Sequence, residues 1–227
     1  MAETSTSILS MIKLFEAIFK NGHMKMYPRL NENRFQWTLW ALLHRSYDFA
    51  VEKPTRIPEW VKNAGRLFMS FLAGYTDGEG CLSISRANCR YILRTIVITT
   101  QDVDILKDIK EKLAEYGYNP ILYLVCKKGT LNHFGPCNKD MWQLCIQRKD
   151  EVLKCLQELP IQHNDKIRMK RLMLDTKDAT HWSEVEGMVM ALRKQISDGK
   201  GRCRLEAEKE YKKHRGAVPH VPERGHL

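Results

Sequence analysis

The segment with the clearest chemical potential runs from Phe71 to Gly80 and reads FLAGYTDGEG. Gly74 and Gly78 stand about one helical turn apart, although each glycine costs a helix about 1 kcal/mol relative to alanine. Two glycines on one face predict a bare surface that another backbone approaches closely. Glu79 is the last side chain before Gly80, which is the predicted helix end. Its carboxylate lies against the negative end of the helix dipole, and that position favours a bound cation.

The elements that position this segment follow from the spacing of apolar residues. Residues 64–80 form a predicted helix, and the predicted strand 81–86 follows at once, which places Glu79 at the lip of a sheet face. Leu82 and Ile84 alternate with Ser83 and Ser85, so the apolar pair points inward and the serines point the same way as the acid. The remaining elements of this region are predicted as strand 91–100, helix 102–116, strands 120–127 and 141–147, and helices 150–159 and 166–174. This order predicts an α+β fold whose helices cover one face of an antiparallel sheet and leave the other face open.

The flanking regions show helical spacing at both ends of the chain. Residues 5–20 are predicted to form a helix capped by Ser5 or Thr6, and residues 34–49 a second helix rich in aromatic side chains. An extended segment at 53–58 marks a boundary. Residues 183–196 and 204–214 are further helical candidates. The chain therefore divides into a helical N-terminal extension at 1–63, a core at 64–182, and a helical, basic C-terminal extension and tail at 183–227.

The composition indicates a polyanionic partner. Lys and Arg outnumber Asp and Glu by 37 to 27, a formal net charge of +10 in 227 residues, and such an excess favours nucleic acid over a merely basic soluble protein. The seven cysteines are odd in number and lack CxxC spacing, which predicts a reducing compartment. Cys126, His133 and Cys137 are too few ligands for a zinc site. Without a membrane-length apolar run or a secretory signal, the expected location is intracellular, cytoplasmic in a prokaryote or organellar otherwise.

The segment Leu72–Gly80, LAGYTDGEG, resembles the motif of the LAGLIDADG homing endonucleases. It keeps the small residues, both acids and the final glycine, and departs from the motif at Tyr75 and Thr76 and in having Glu at position 79. The order of elements also resembles the αββαββα core of that family, over Phe68 to about Leu174. The resemblance implies a DNA saddle formed by the antiparallel sheet and a site-specific, intron-encoded type of DNA endonuclease.

The resemblance also implies roles for individual residues. Glu79 corresponds to the acid that binds a divalent cation, here expected to be Mg²⁺, and Gln101 to a polar residue near the attacking water. A basic residue precedes the last core helix; Lys166 is favoured because a fixed charge stabilises a developing phosphorane, with His163 and Arg168 as alternatives. Two simpler interpretations are equally open. Gln101 would then be an ordinary polar residue at the start of a helix, and Lys166 a solvated residue at the start of another helix, with neither acting in catalysis. The implied helix interface comprises Leu72, Ala73, Gly74, Asp77 and Gly78, with Asp77 hydrogen-bonding across the pair.

A single copy of the motif predicts a symmetric homodimer, because one acid cannot serve two scissile phosphates. Metal-assisted hydrolysis of both strands of a pseudo-palindromic site is then expected. Double-stranded DNA is expected on the open sheet face. The residues predicted to contact the bases of this DNA are Ser83, Ser85, Arg86 and Arg94, with Ile96 and Ile98 near thymine methyl groups. The residues predicted to contact its phosphates are Lys127, Lys128, Arg148 and Lys149.

Other functions remain open on the same sequence. An RNA-binding intron maturase would use this fold without cutting DNA, and RNA would then be the partner. A non-catalytic DNA-binding regulator would have no need of an acid at Glu79. A basic structural protein of a ribonucleoprotein leaves the cluster of Gly74, Gly78 and Glu79 unexplained. The extensions are expected to pack on the core or to add DNA contacts.

Overall fold

The computed structural model describes residues 2–31, 34–43, 54–132 and 135–214. These residues belong to two compact units. We call Met1–Phe49 with Lys194–Leu227 the flanking unit, and Ala50–Arg193 the core unit. The two units are described separately below.

The flanking unit contains a three-stranded antiparallel sheet and two helical segments. Its elements are β1 (Ala2–Thr6), α1 (Leu9–Phe19), β2 (Met24–Asn31), β3 (Arg34–Ala41) and the part of α7 (Glu186–His214) that begins at Lys194. The strand order is β1-β3-β2. The core of this unit contains Ile12 and Phe15 of α1, Leu39 and Ala41 of β3, and Cys203 of α7.

The predicted helix over 34–49 is wrong for its first half, which forms strand β3. Leu39 and Ala41 are buried, and they share one sheet face with the partly buried Trp37. Aromatic residues at positions 35, 37 and 40 fit both a helical and an alternating pattern, so the spacing alone does not separate the two. Pairing with β1 and β2 satisfies the backbone of β3 and decides for the strand. Residues 44–49 of the predicted helix lie outside the described residues.

The first helix also begins later than predicted. It starts at Leu9, because Ser5 and Thr6 belong to β1. The Thr6 hydroxyl nevertheless accepts a hydrogen bond from the Ile8 backbone N–H at 3.0 Å. The side chain predicted as a helix cap therefore fixes the turn that leads into the helix.

The core unit contains the elements predicted for residues 64–174 in the predicted order. Its elements are α2 (Glu59–Lys62), α3 (Gly65–Glu79), β4 (Gly80–Ala87), β5 (Tyr91–Thr100), α4 (Val103–Glu115), β6 (Ile121–Cys126), β7 (Leu131–Asn132), β8 (Gly135–Pro136), β9 (Met141–Ile146), α5 (Lys149–Glu158), α6 (Asn164–Asp175) and a 3₁₀ turn (Trp182–Glu184). The sequence did not predict the short helix α2 or the short strands β7 and β8. Strands β4, β5, β9 and β6 form one antiparallel sheet in that spatial order. The α+β fold with an antiparallel sheet and packed helices is confirmed.

The C-terminal helices predicted at 183–196 and 204–214 are one continuous helix, α7. Gly199 and Gly201 lie inside it, and the prediction broke the helix there because glycine is a poor helix former. Lys194 and Asp198 form an i,i+4 ion pair at 3.1 Å just before the glycines, and Cys203 is buried after them. Packing on the following turn thus outweighs the local propensity.

A buried carboxylate anchors the extended segment that precedes α3. Asp108 of α4 has a fully buried side chain. It accepts hydrogen bonds from the Arg56 guanidinium at 2.5 Å and from the Ile57 backbone N–H at 2.9 Å, and the Lys62 ammonium lies 3.5 Å away. Burial alone would raise the pKa of Asp108, but these partners outweigh it and lower the pKa below its ordinary 3.8.

Replacing Asp108 by alanine is expected to lower the free energy of unfolding by about 2 kcal/mol, because it leaves the buried Ile57 N–H without an acceptor. The pKa of Asp108 in the folded protein lies below the ordinary value of 3.8. The carboxylate therefore stabilises the folded state fully above pH 3.8, and this stabilisation is lost as the pH falls through the folded pKa. Urea unfolding at neutral and at acidic pH measures the loss of stability in the variant and its dependence on pH. Asp104→Ala, which removes an exposed ion pair on the same helix, should change stability by less than about 0.5 kcal/mol; an equal loss from both variants would contradict the anchor.

Candidate functional site

The motif helix α3 passes directly into strand β4 at Gly80. The backbone of Gly80 is extended, with φ −92° and ψ 163°, so glycine is not needed here for a left-handed conformation. It is needed for space, because a Cβ at this position would lie 2.7 Å from the Thr76 carbonyl oxygen and 2.8 Å from the Thr76 Cα. The final glycine of the motif therefore lets the strand leave the helix at once, as predicted, with Glu79 as its last side chain.

The bare surface predicted on α3 is present. Gly74 and Gly78 are exposed, and an added Cβ at either would meet nothing within 4 Å. Leu67 and Ser70, on the same side of the helix, are also exposed. We call the stripe of Leu67, Ser70, Gly74 and Gly78 the glycine face.

Three residues predicted for the helix interface lie elsewhere. Leu72 and Ala73 are each 2% exposed and Asp77 is 5% exposed, because they form the inner side of α3 within the chain's own core. Their predicted placement at a subunit interface is wrong. The sequence pattern groups all small and apolar motif residues together, whereas the helix turns Leu72, Ala73 and Asp77 away from the glycine face.

Asp77 instead ties the motif helix to α6. Its Oδ2 atom accepts a hydrogen bond from the Gln162 backbone N–H at 2.8 Å. The Lys166 ammonium donates to the Thr76 and Asp77 carbonyl oxygens, each at 2.6 Å. These carbonyls belong to the last turn of α3. The Thr76 carbonyl also accepts a hydrogen bond from the Gly80 backbone N–H, so Lys166 adds a second donor to the helix end from another helix.

The three candidate cations at the start of α6, namely His163, Lys166 and Arg168, have different environments. Burial lowers the pKa of Lys166, and the charges of Asp77, Cys81 and Glu79 partly oppose that effect. His163 is 5% exposed, and burial, then the Lys166 charge, lowers its pKa below the ordinary 6.5, so it is neutral at neutral pH. Arg168 is exposed on α6. Among the three, Lys166 is the residue that the structure brings to the end of the motif helix.

Gln101 is exposed immediately after β5, as predicted. The residues on either side of it are fixed by Tyr75, whose hydroxyl donates to Asp102 at 3.1 Å and lies 3.5 Å from the Thr100 hydroxyl. Thr100 and Asp102 are also hydrogen-bonded to each other at 3.2 Å. Burial raises the pKa of Tyr75 to about 12, so the phenol stays a donor. Sequence reasoning treated Tyr75 as a variable apolar position; a hydroxyl on an otherwise apolar motif face was the available signal.

The open face of the sheet follows from strand register. Ser83 and Ser85 lie on it as predicted, since their neighbours Leu82 and Ile84 are buried. On β5, Arg94 lies on the opposite side, 3% exposed, and donates to the Thr176 carbonyl. Ile96 and Ile98 share its side and are also buried. The predicted placement of these three β5 residues on the open face is therefore wrong.

Strand parity explains the error on β5. Register pairs Ser83 with Thr95, and paired residues share a face. The open face of β5 is therefore the odd-numbered one. Arg86 is exposed at the end of β4, but it alternates with Ile84 on the helix side.

The open face contains no charged side chain on the described strands β4, β5, β6 and β9. It presents hydroxyls, an amide, aromatic rings and aliphatic groups, including Ser83, Ser85, Leu93, Thr95, Val97, Thr99, Gln143, Tyr123 and Val125. Hydrogen bonds run across three of its strands, from the Thr99 hydroxyl to Gln143 Oε1 at 3.3 Å and from Gln143 Nε2 to the Tyr123 hydroxyl.

The predicted phosphate-binding cations are at the margins of this sheet. Lys127 and Lys128 are exposed just after β6. Arg148 and Lys149 are exposed after β9, and Arg148 pairs with Glu151 at 3.3 Å. These cations thus border an uncharged surface, in the connection after β6 and at the start of α5.

The donor set near Glu79 suits a hard cation only in part. Among the described residues, no group of three His, Cys, Asp or Glu side chains is arranged to hold a metal ion. Asp77 is buried and bonded to Gln162, which leaves Glu79 as the exposed carboxylate of the motif. Mg²⁺ accepts such a sparse set, because it keeps several waters and is bound through one or two carboxylates plus phosphate oxygens. Cys126 and Cys137 approach to 2.8 Å between sulfurs, while His133 lies outside the described residues.

Comparison with known proteins supports the sequence resemblance. Residues 69–160 match the family described as LAGLIDADG-like domain. The matched residues contain the motif, all four strands of the sheet, α4 and α5. No protein among those with curated descriptions matches the chain.

Solved structures of homing endonucleases are similar to the chain at low identity. I-CvuI, in complex with its target and Ca, is 18% identical over 67% of this chain and 98% of its own, with a TM-score of 0.36. I-DmoI variants are 14% identical over 70% and 77%, with a TM-score of 0.41. I-AabMI, bound to uncleaved DNA, is 9% identical over 88% and 87%, with a TM-score of 0.46. Within the described residues, no helix is long and apolar enough to cross a membrane.

Gly80→Ala is expected to destabilise the chain by about 1–3 kcal/mol, because the new methyl group collides with the Thr76 backbone and the helix end must shift. Gly201→Ala, at an exposed glycine inside α7, is the matched control. It adds the same methyl group to open space and should stabilise α7 by up to about 1 kcal/mol. Thermal and urea unfolding of both variants measure the difference. Equal stability of the two proteins would show that close approach is not the reason for glycine at position 80.

Proposed function

We propose that this chain is a site-specific DNA endonuclease of the homing type, which hydrolyses phosphodiesters on both strands of a long, pseudo-palindromic duplex. The observation that carries the proposal is the position of Glu79. This exposed carboxylate ends the motif helix at the lip of an open sheet face, and the Lys166 ammonium is bonded nearby to the carbonyls of Thr76 and Asp77 in the same last turn. A fold without catalytic duty has no need of an acid there.

Glu79 is proposed to hold a divalent cation, most naturally Mg²⁺, together with water and phosphate oxygens. When bound, such a cation supplies a more acidic water and neutralises charge on the phosphate. The helix end supports this role for Glu79, since the negative end of the dipole disfavours a carboxylate without a cation.

Lys166 and Gln101 are proposed to act on the phosphate and on the attacking water. Two of the three Lys166 N–H groups bond to helix carbonyls, which leaves one donor for a phosphate oxygen as negative charge develops. Gln101 is exposed between two residues tied to Tyr75, so its amide is well placed to orient a water molecule. Arg168 and His163 remain less suited, because one is exposed further along α6 and the other is buried and neutral.

A homodimer is proposed because each chain offers one exposed motif carboxylate and one glycine face. The open space around Gly74 and Gly78 permits a second copy of α3 to approach backbone to backbone across a two-fold axis. The two Glu79 carboxylates would then meet near that axis and share cations.

Duplex DNA is proposed to lie on the open face of the sheet. Ser83 and Ser85 would contact base edges, and the neutral aliphatic groups of that face suit thymine methyls. The cations at the margins of the sheet, Lys127, Lys128, Arg148 and Lys149, would contact phosphates.

An intron maturase is the second candidate, and the exposed tyrosines of the sheet favour it. Tyr91 is 52% exposed and Tyr123 is 42% exposed, and such rings stack on unpaired RNA bases. The exposed acid at Glu79 favours the endonuclease. A splicing assay with the intron that encodes the chain distinguishes the two, and both activities in one protein would make it bifunctional.

Glu79→Gln is expected to abolish cleavage and to leave DNA affinity within a few fold, because the amide cannot hold the cation. The assay uses purified protein, Mg²⁺ and DNA that carries the uninterrupted form of the locus holding its gene. Glu111→Gln, at an exposed acid on α4, is the control and should cut normally. A wild-type protein that binds this DNA without cutting it would contradict the endonuclease, and loss of both binding and cleavage in Glu79→Gln would indicate a folding role.

Gly74→Leu and Gly78→Leu are expected to convert a dimer into monomers, because the leucine side chain fills the gap between the two helices. The monomer should stay folded, since each glycine borders open space within the chain. Gly187→Leu, at an exposed glycine of α7 with equally open surroundings, serves as the control. Sedimentation equilibrium measures the mass. Dimers that persist in both variants would place the interface elsewhere.

A further inference from the structure

Two cysteine side chains meet in the connection between β6 and β9. The Sγ atoms of Cys126 and Cys137 lie 2.8 Å apart, although eleven positions separate the two residues in the chain. Both residues are half-buried, so both touch solvent. We call Cys126 and Cys137 the cysteine pair. The chemistry proposed for Glu79, Gln101 and Lys166 does not involve it.

Backbone hydrogen bonds hold the two cysteines of the pair close to each other. The Thr130 N–H donates to the Lys127 carbonyl at 3.1 Å, which closes a turn directly after Cys126. Gly129 lies in this turn with φ +84°, a conformation that favours glycine. The Cys137 N–H donates to the Thr130 carbonyl at 3.0 Å, and the Cys137 carbonyl accepts from the Gly129 N–H at 2.8 Å. The contact between the sulfurs therefore follows from the path of the backbone.

Strand pairing continues on both sides of the cysteine pair. Cys126 pairs with Met141 of β9, and Leu131 pairs with Pro136 where β7 meets β8. The segments that lead into and out of the connection are thus already antiparallel. A covalent bond between Cys126 and Cys137 would preserve this pairing, because the strands already hold the two residues together.

The other five cysteines have different surroundings. Burial raises the pKa of the Cys155 thiol to about 12, and the thiolate is the form that reacts. Cys145 and Cys203 are buried as well, whereas Cys81 and Cys89 are exposed. The structure therefore offers two exposed cysteines at which to compare the reactivity of the cysteine pair.

The connection that contains the pair is positively charged. Residues 127–140 include three lysines and one acid. Lys127, Lys128 and Lys139 are all exposed, and the acid, Asp140, accepts a hydrogen bond from the Lys128 backbone N–H at 2.7 Å. A local excess of positive charge attracts anions, and glutathione disulfide is an anion at neutral pH. The surroundings of the pair thus suit this oxidant.

We propose that Cys126 and Cys137 are a reversible redox pair, which glutathione disulfide converts into an intramolecular disulfide. One thiol of the pair loses its proton, and its sulfur attacks glutathione disulfide, so that a mixed disulfide forms and one glutathione thiolate leaves. The second protein thiolate then attacks the protein sulfur of the mixed disulfide and releases the second glutathione. The two protein thiols lose two electrons in total, and the two glutathione thiolates take up the two protons. Excess reduced glutathione reverses both steps.

The disulfide would fix the turn that carries Lys127 and Lys128, because a cross-link removes the open conformations of the loop that it closes. The consequence for DNA rests on the proposed function, in which these lysines contact phosphates. Lysines on a fixed turn lose less conformational freedom on binding. The oxidised chain is therefore expected to bind duplex DNA a few fold more tightly than the reduced chain.

The test equilibrates dilute full-length protein in glutathione buffers with a rising fraction of the disulfide. Iodoacetamide then blocks the remaining thiols, and peptides are mapped by mass spectrometry without reduction. The oxidised chain should carry two fewer alkylated cysteines than the seven of the reduced chain, with Cys126 and Cys137 in one linked peptide. Trypsin cleavage of the folded protein after Lys127 and Lys128 should slow about tenfold on oxidation.

Three variants identify the cysteines that take part. Cys126→Ser and Cys137→Ser each leave one thiol of the pair, so their reaction should stop at the mixed disulfide with glutathione. Cys81→Ser with Cys89→Ser removes the two exposed thiols and should leave formation of the internal bond unchanged. Circular dichroism melts verify that the variants fold. Fluorescence anisotropy should show that Cys126→Ser binds duplex DNA equally well under oxidising and reducing conditions.

The outcomes separate this proposal from the proposed nuclease function. If both thiols of the pair stay reduced in glutathione disulfide, or if oxidation links separate copies of the chain on a non-reducing gel, the redox pair is wrong. Equal DNA affinity of the oxidised and reduced wild-type chains would overturn the effect on binding. The peptide map needs neither DNA nor cleavage. A protein that forms the internal bond but cuts no DNA would therefore refute the nuclease alone.

Discussion

The junction between α3 and α6 is the interaction on which the rest of the core unit depends. The last carbonyls of a helix need donors, and the Gly80 backbone N–H supplies one to the Thr76 carbonyl. Lys166 donates to the Thr76 and Asp77 carbonyls from a distant helix, and Asp77 accepts the Gln162 N–H in return. This exchange fixes the end of the motif helix against the sheet and leaves Glu79 as the exposed acid. A structural cap and a candidate catalytic cation are thus the same side chain.

Much of the core unit could be predicted because its signals are local and agree with one another. The alternation in β4, the β-branched run in β5 and the amphipathic α4 each specify one element, and short connections leave few ways to combine them. The flanking unit has weaker signals. In β3, aromatic residues fit two periods, and only its pairing with β1 and β2 decides between them. In α7, tertiary packing at Cys203 carries the helix past two glycines.

The site was predictable where it rests on the motif and less so where it rests on register. Glu79 and Gln101 lie at the predicted places, because each is fixed by its position at the end of an element. Arg94 does not lie at its predicted place. Its face of the strand can be assigned only when the pairing between strands is known, because a shift of one residue in that pairing exchanges the two faces. Tyr75 escaped notice for a related reason: its partners Thr100 and Asp102 lie far along the chain.

The absence of charge from the open face of the core sheet, on its described strands, bears on how such a surface changes during evolution. Should DNA lie there, attraction to the backbone would come from the bordering loops, and the choice of sequence from small neutral groups such as Ser83 and Thr95. Exchanging one neutral group for another alters neither the net charge nor the long-range field. New target preferences would therefore arise through single substitutions without weakening general attachment to the duplex.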